Sequence, residues 1–93
     1  MNNTIWKFVL GPQAAMTSIL MPKGAEILSA REIDKETIGV WAKVNSNADP
    51  CDWERRALWT CFTGHGLPDS DARFIGTAML FEGAIVAHVF ADR

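Results

Sequence analysis

The stretch FIGTAMLFEGAIVAHVF, residues 74–90, joins two apolar runs through Glu82-Gly83, a pair suited to a two-residue hairpin turn. Such a turn sets a register. Phe81 faces Ala84, Met79 faces Val86, Thr77 faces His88 and Ile75 faces Phe90 on one side of the ribbon. Leu80 with Ile85, Ala78 with Ala87 and Gly76 with Val89 occupy the other side, because successive strand residues point to opposite faces. Both sides are apolar, so the hairpin is expected at the centre of a sandwich or barrel, or with its second face against another subunit. Thr77 and His88 form the polar pair of the first face. They read as a histidine satisfied by a neighbouring hydroxyl or, more sharply, as the polar lining of a pocket.

Upstream, short apolar runs alternate with turn residues at intervals of about ten, a spacing that predicts β structure. TIWKFVL (4–10) reads as a strand with Trp6, Phe8 and Leu10 on one face. It ends at GPQ, where Pro12 fixes its own φ and lacks an amide donor. TSILMP (17–22) is the second strand, stopped by Pro22 and Gly24. Residues 25–44 admit two readings: a helix over roughly 25–36 followed by a strand, or a hairpin pairing 26–33 with 38–44 across Asp34-Lys35-Glu36. The hairpin is preferred, because Ile38, Val40, Ala42 and Val44 alternate with Gly39, Trp41 and Lys43. NSNADP (45–50) is a loop.

In WERRALWTCFT (53–63), Glu54, Arg56, Leu58, Thr60 and Phe62 face one way and Trp53, Arg55, Ala57, Trp59, Cys61 and Thr63 the other. The second set offers two indoles and a guanidinium, groups that stack on flat rings or bind phosphate and carboxylate, against the plainer reading of core tryptophans and a solvated arginine. The segment TGHGLPD (63–69) follows, and Gly64 and Gly66 can present His65 at a rim. A general base there needs an orienting carboxylate, for which Asp69 and Asp71 are the nearest in sequence. Cys61 and His65 stand too far apart along an extended chain for a nucleophilic dyad unless Gly64 reverses it sharply. The Gly-His-Gly turn lacks the spacing and the following lysine of a phosphate-cradling loop.

The 93 residues make one domain, 1–93, able to bury roughly 60–65% of its unfolded surface. Hydrophobic residues are 48% of the chain, with four tryptophans and five phenylalanines, a load that points to self-association. Nine Lys and Arg against eleven Asp and Glu leave a net charge of −2, which disfavours general nucleic-acid binding. No segment approaches the ~20 apolar residues of a membrane span and the start lacks a basic leader, so a cytoplasmic location is expected. Cys51 and Cys61, the two cysteines, are read as free thiols, one in a loop and one buried. With His65 and His88 they match no familiar zinc spacing, so no metal or cofactor is expected.

IWKF at 5–8, MPKGAEILS at 21–29, VWAKV at 40–44, TGHGLP at 63–68, FIGT at 74–77 and VAHVF at 86–90 follow one another over nearly the whole chain. In this order they resemble an uncharacterised family of short proteins encoded by phages and prophages. The resemblance implies a phage or prophage origin and a compact β-rich fold, and it brings no activity and no catalytic residue. The chain departs from the pattern in the acidic stretch 34–37 and in NSNADPCDWERR (45–56).

The expected architecture is all-β, or α+β if 25–36 is helical: a small antiparallel barrel or sandwich of six or seven strands that forms a homo-oligomer. The expected function is non-enzymatic. A phage accessory protein would sequester a small anionic or nucleotide-like ligand, such as a host antiviral signalling molecule, through Trp53, Arg55, Trp59, Thr63, His65, Arg73, Thr77 and His88. The rival readings are an interaction module that inhibits a host protein, a small hydrolase of a nucleotide-like ligand, and a virion component.

Overall fold

The computed structural model describes residues 2–11, 15–68 and 71–92, so the expectations placed on Pro12 and Asp69 lie outside the described residues. Seven strands run antiparallel: β1 (Asn3–Leu10), β2 (Met16–Met21), β3 (Glu26–Glu32), β4 (Ile38–Asn45), β5 (Glu54–Phe62), β6 (Arg73–Leu80) and β7 (Ile85–Ala91). They form two sheets, β1-β4-β3 and β2-β5-β7-β6. The two layers make a sandwich and not a closed barrel, because β1 and β2 remain separate edges. Trp6 and Phe8 of β1 and Ile19 of β2 are half-buried side chains packed on the core.

Alternation decides which face each strand buries. In β4, Ile38, Val40 and Ala42 are fully buried and Val44 is 1% exposed. Their partners Leu10, Phe8, Trp6 and Thr4 on β1 share that inner face. The β3/β4 hairpin forms as the alternation requires, and its pairing overrides the helix propensity of Ala, Glu, Leu and Arg in β3. Its connection is an Asx turn: Glu36 donates its amide to Asp34 Oδ1 at 2.8 Å. That amide, with the Thr37 hydroxyl, holds the Asp34 carboxyl below its ordinary value.

The β6/β7 register matches the sequence reading from Leu80↔Ile85 through Met79↔Val86 and Thr77↔His88 to Gly76↔Val89. Two details differ. The turn is not a two-residue Glu82-Gly83 turn with Phe81 facing Ala84 but a 3-10 loop, Phe81–Gly83, in which Phe81, Glu82 and Gly83 all have positive φ. Ala84 donates back to the Phe81 carbonyl at 3.1 Å. Second, a bulge between Phe74 and Gly76 pairs Phe74, not Ile75, with Phe90. Ile75 turns inward to 7% exposure.

The bulge lies where β6 passes close to β3. β6 crosses β3 at Gly76 so closely that a Cβ there would lie 2.1 Å from the Ala30 carbonyl oxygen. β3 carries its own bulge between Ile27 and Ser29 at the same crossing, and paired bulges let two edges bend past one another. Side chains stitch the crossing: Arg73 Nη2 donates to the Ile27 carbonyl at 2.6 Å and the Met79 amide donates to Glu32 Oε1 at 2.8 Å.

The Met79 amide holds the Glu32 carboxyl below its ordinary value of 4.5. A depressed folded-state value means that this contact is fully present above the unfolded value and is lost as pH falls through the folded one. The difference in thermal midpoint between the wild type and Glu32→Gln should therefore be constant near neutrality and shrink below about pH 4.5. A difference independent of pH from 3 to 7 would show that the carboxylate charge contributes nothing.

Candidate binding site

Register places the outward residues of β5 beside those of its neighbours. Trp59 stands opposite Phe90 on β7 and Met16 on β2, and Cys61 stands opposite His88. Thr77 and Phe74 on β6 face His88 and Phe90 in turn. The Arg55–Trp59–Cys61 side of 53–63 and the Thr77–His88 side of 74–90, singled out separately in the sequence, thus merge on a single face of the four-stranded sheet. Its reverse holds Leu58, Ala78, Ala87 and Val89, all buried. The sequence reading of a hairpin apolar on both sides therefore resolves into a core face and a half-exposed outer face.

His88 is held on that outer face by two hydroxyls. Thr77 Oγ1 lies 3.2 Å from Nδ1, the pairing read from the hairpin, and Thr63 Oγ1 lies 3.0 Å from Nε2. Thr63 reaches it because its amide donates to the Val86 carbonyl at 3.3 Å, which carries the chain past the end of β5. With a hydroxyl on each ring nitrogen, the imidazole is satisfied whichever nitrogen carries the proton. This is the bonding of a positioned structural histidine.

The TGHG segment makes a sharp exit. Gly64 takes φ +89°, and the His65 amide donates to the Phe62 carbonyl at 3.0 Å. The exposed imidazole then stands edge-on to the Phe62 ring, with centroids 5.9 Å apart. Trp59, Cys61, Phe62, His65, Leu67 and Pro68 line a cleft of about 400 Å³ against Ala15. Cys61 is buried and its thiol is pushed up by that burial, which leaves it a poor nucleophile. Cys51 is exposed in the Pro50–Asp52 turn. Among the described residues no three His, Cys, Asp or Glu side chains gather as a metal would require.

The remaining candidates lie elsewhere. Arg55 is at the far end of β5, opposite Leu20, in a separate open cleft with Gly24, Glu54 and Asp92. Arg73 is committed to the Ile27 carbonyl. Trp53 precedes β5 and packs on Trp6 of the other sheet at 5.8 Å, with its Nε1 buried and unpartnered. Arg55 thus keeps the strand face of Trp59 but lies at its other end, away from the cleft, whereas Trp53 leaves that face, because strand parity does not extend past the residue where the strand begins. Sequence reasoning missed Phe62, Leu67 and Pro68. No pattern in the sequence marked them: that Leu67 is an apolar residue 75% exposed in a loop is visible only in the structure.

One family model spans residues 1–93, the whole chain. The chain belongs to the DUF7352 family. That family is described as a domain of unknown function. No curated protein and no solved structure matches this DUF7352 chain. The family assignment thus agrees with the uncharacterised character read from the motifs, and the described residues of the DUF7352 chain contain no helix long and apolar enough to cross a membrane.

Proposed function

We propose that this DUF7352 protein is a non-enzymatic binding protein that holds a small flat, nucleotide-like molecule in the Trp59–His65 cleft. The observation that carries the reading is the cleft itself, of about 400 Å³, in which an indole, a phenyl ring and an imidazole converge at the exit of β5. Such rings stack on a base and exclude water from it, while His65 adds a hydrogen-bonding group that can meet an anionic substituent. Arg55 and Arg73 stand apart from this cleft, so recognition centres on the ring of the ligand more than on its phosphates. Binding without turnover is favoured because His88 is saturated by threonines and Cys61 is buried. In the biological setting that the motif resemblance implies, the protein is a phage accessory factor that sequesters a host signalling nucleotide in the cytoplasm.

Thermal-shift and calorimetric titration with nucleobases, mononucleotides and cyclic nucleotides tests this reading. A cognate ligand at 100 times its Kd should stabilise the fold by about 2.7 kcal/mol. Trp59→Ala and His65→Ala should each weaken it by at least about tenfold, and Arg55→Ala should change it little. Ligand recovered intact after heat denaturation separates binding from hydrolysis. Failure of every compound in the panel to stabilise the protein would remove the proposal.

A further inference from the structure

The outer face of the four-stranded sheet gathers several of the exposed large apolar side chains among the described residues. Met16, Leu20, Phe74 and Met79 are each 44–54% exposed on it, and the Phe74 and Phe90 rings pack edge to face at 5.6 Å. Arg55 is the one charged side chain among its outward strand positions. The outer face of the three-stranded sheet differs. It also exposes Ile5 and Val9, but Lys7, Lys43, Glu26 and Arg31 are spread among them, as on a surface that stays in water.

We infer that this outer face is a two-fold interface between two copies of the chain, packed sheet on sheet. Three observations support a second copy. First, the histidine at the centre of the face needs nothing from outside: His88 is satisfied through Thr63 and Thr77, so its ring nitrogens are not stranded when the face is desolvated. Second, Arg55 sits at one end of β5, near Gly24 and Asp92. A two-fold axis running across the strands sends the two guanidiniums to opposite ends, so an isologous contact brings no like charges together. Third, the area suffices. Four strands at ~4.8 Å spacing and ~3.4 Å per residue give a footprint of roughly 400 Å². Side-chain relief raises the accessible area to roughly 600 Å² per copy, so a pair reaches the lower end of the ~1,200–2,000 Å² that stable interfaces bury.

Trp59 belongs both to this face and to the ligand cleft, but Leu20, Phe74 and Met79 line no part of the Trp59–His65 cleft, so variants at those three positions test the interface separately from ligand binding. Sedimentation velocity from about 1 to 100 µM tests it. The expected result is a wild-type dimer whose dissociation constant rises by about 100-fold or more in Met79→Glu, with Ile5→Glu on the opposite sheet leaving it unchanged. Thermal unfolding of each variant confirms that it folds, and Leu20→Lys gives the same reading should Met79→Glu not fold. A wild-type monomer at about 100 µM would overturn the inference and assign the face to another kind of partner. So would a dimer that survives both outer-face variants and dissociates in Ile5→Glu.

Discussion

Gly76→Ala will destabilise the protein by about 3 kcal/mol and lower its thermal midpoint by about 15 °C. The added methyl would stand 2.1 Å from the Ala30 carbonyl oxygen and 3.0 Å from both the Ala30 nitrogen and carbonyl carbon. These are backbone atoms of a strand hydrogen-bonded to β4, so no side chain can swing aside to make room. β3 and β6 must part, and that loosens the Arg73 bond to Ile27 and the Glu32 bond to Met79 together. A 93-residue domain has only about 5–14 kcal/mol in total, so the loss is a large share of it. Gly11→Ala is the control, because an added Cβ there meets nothing within 4 Å and should change stability by less than about 0.5 kcal/mol. Equal midpoints for the two variants would refute the close crossing.

Asp92→Ala will cost about 2–4 kcal/mol in urea unfolding, with the denaturant slope unchanged. Asp92 uses both carboxylate oxygens, accepting from Arg56 Nε and from the Ala57 amide, each at 2.8 Å. The Arg56 side chain is only 12% exposed, and its Nη1 donates to the Ala25 carbonyl at 2.5 Å. Removing the carboxylate therefore leaves a nearly buried guanidinium with one neutral partner and an amide with none. Asp92→Asn keeps the shape and one acceptor and should cost about half as much. The solvent-exposed pair Lys43–Glu26, at 3.7 Å, sets the contrast: its removal should cost less than about 0.5 kcal/mol. An Asp92→Ala variant as stable as the Lys43 variant would show that the Arg56 contact contributes nothing.

Period-two alternation carried most of the fold. The inner residues of β1 and β4, the β3/β4 hairpin and the central β6/β7 register follow from local sequence, since a one-residue slip would turn every buried side chain outward. The candidate site was legible only in part. Thr77 beside His88 follows from the hairpin, and Trp59 near His65 from their closeness along the chain. Trp53 and Arg73 could not be placed in this way. Each is positioned by a residue far away in sequence, Trp6 and Ile27, and a strand's parity says nothing about what crosses its end.

The amino-acid sequence by itself determined that this chain is β-rich, which residues of β1 and β4 share a face, and the central register of the β6/β7 hairpin. Tertiary structure decided the rest. The partition into sheets of three and four strands, the bulges where β3 crosses β6, and the merging of two outward sets into one uncovered face depend on pairings between distant segments. Local sequence encodes which side of a strand is apolar. Which other strand lies against that side is settled only when all seven compete for one core.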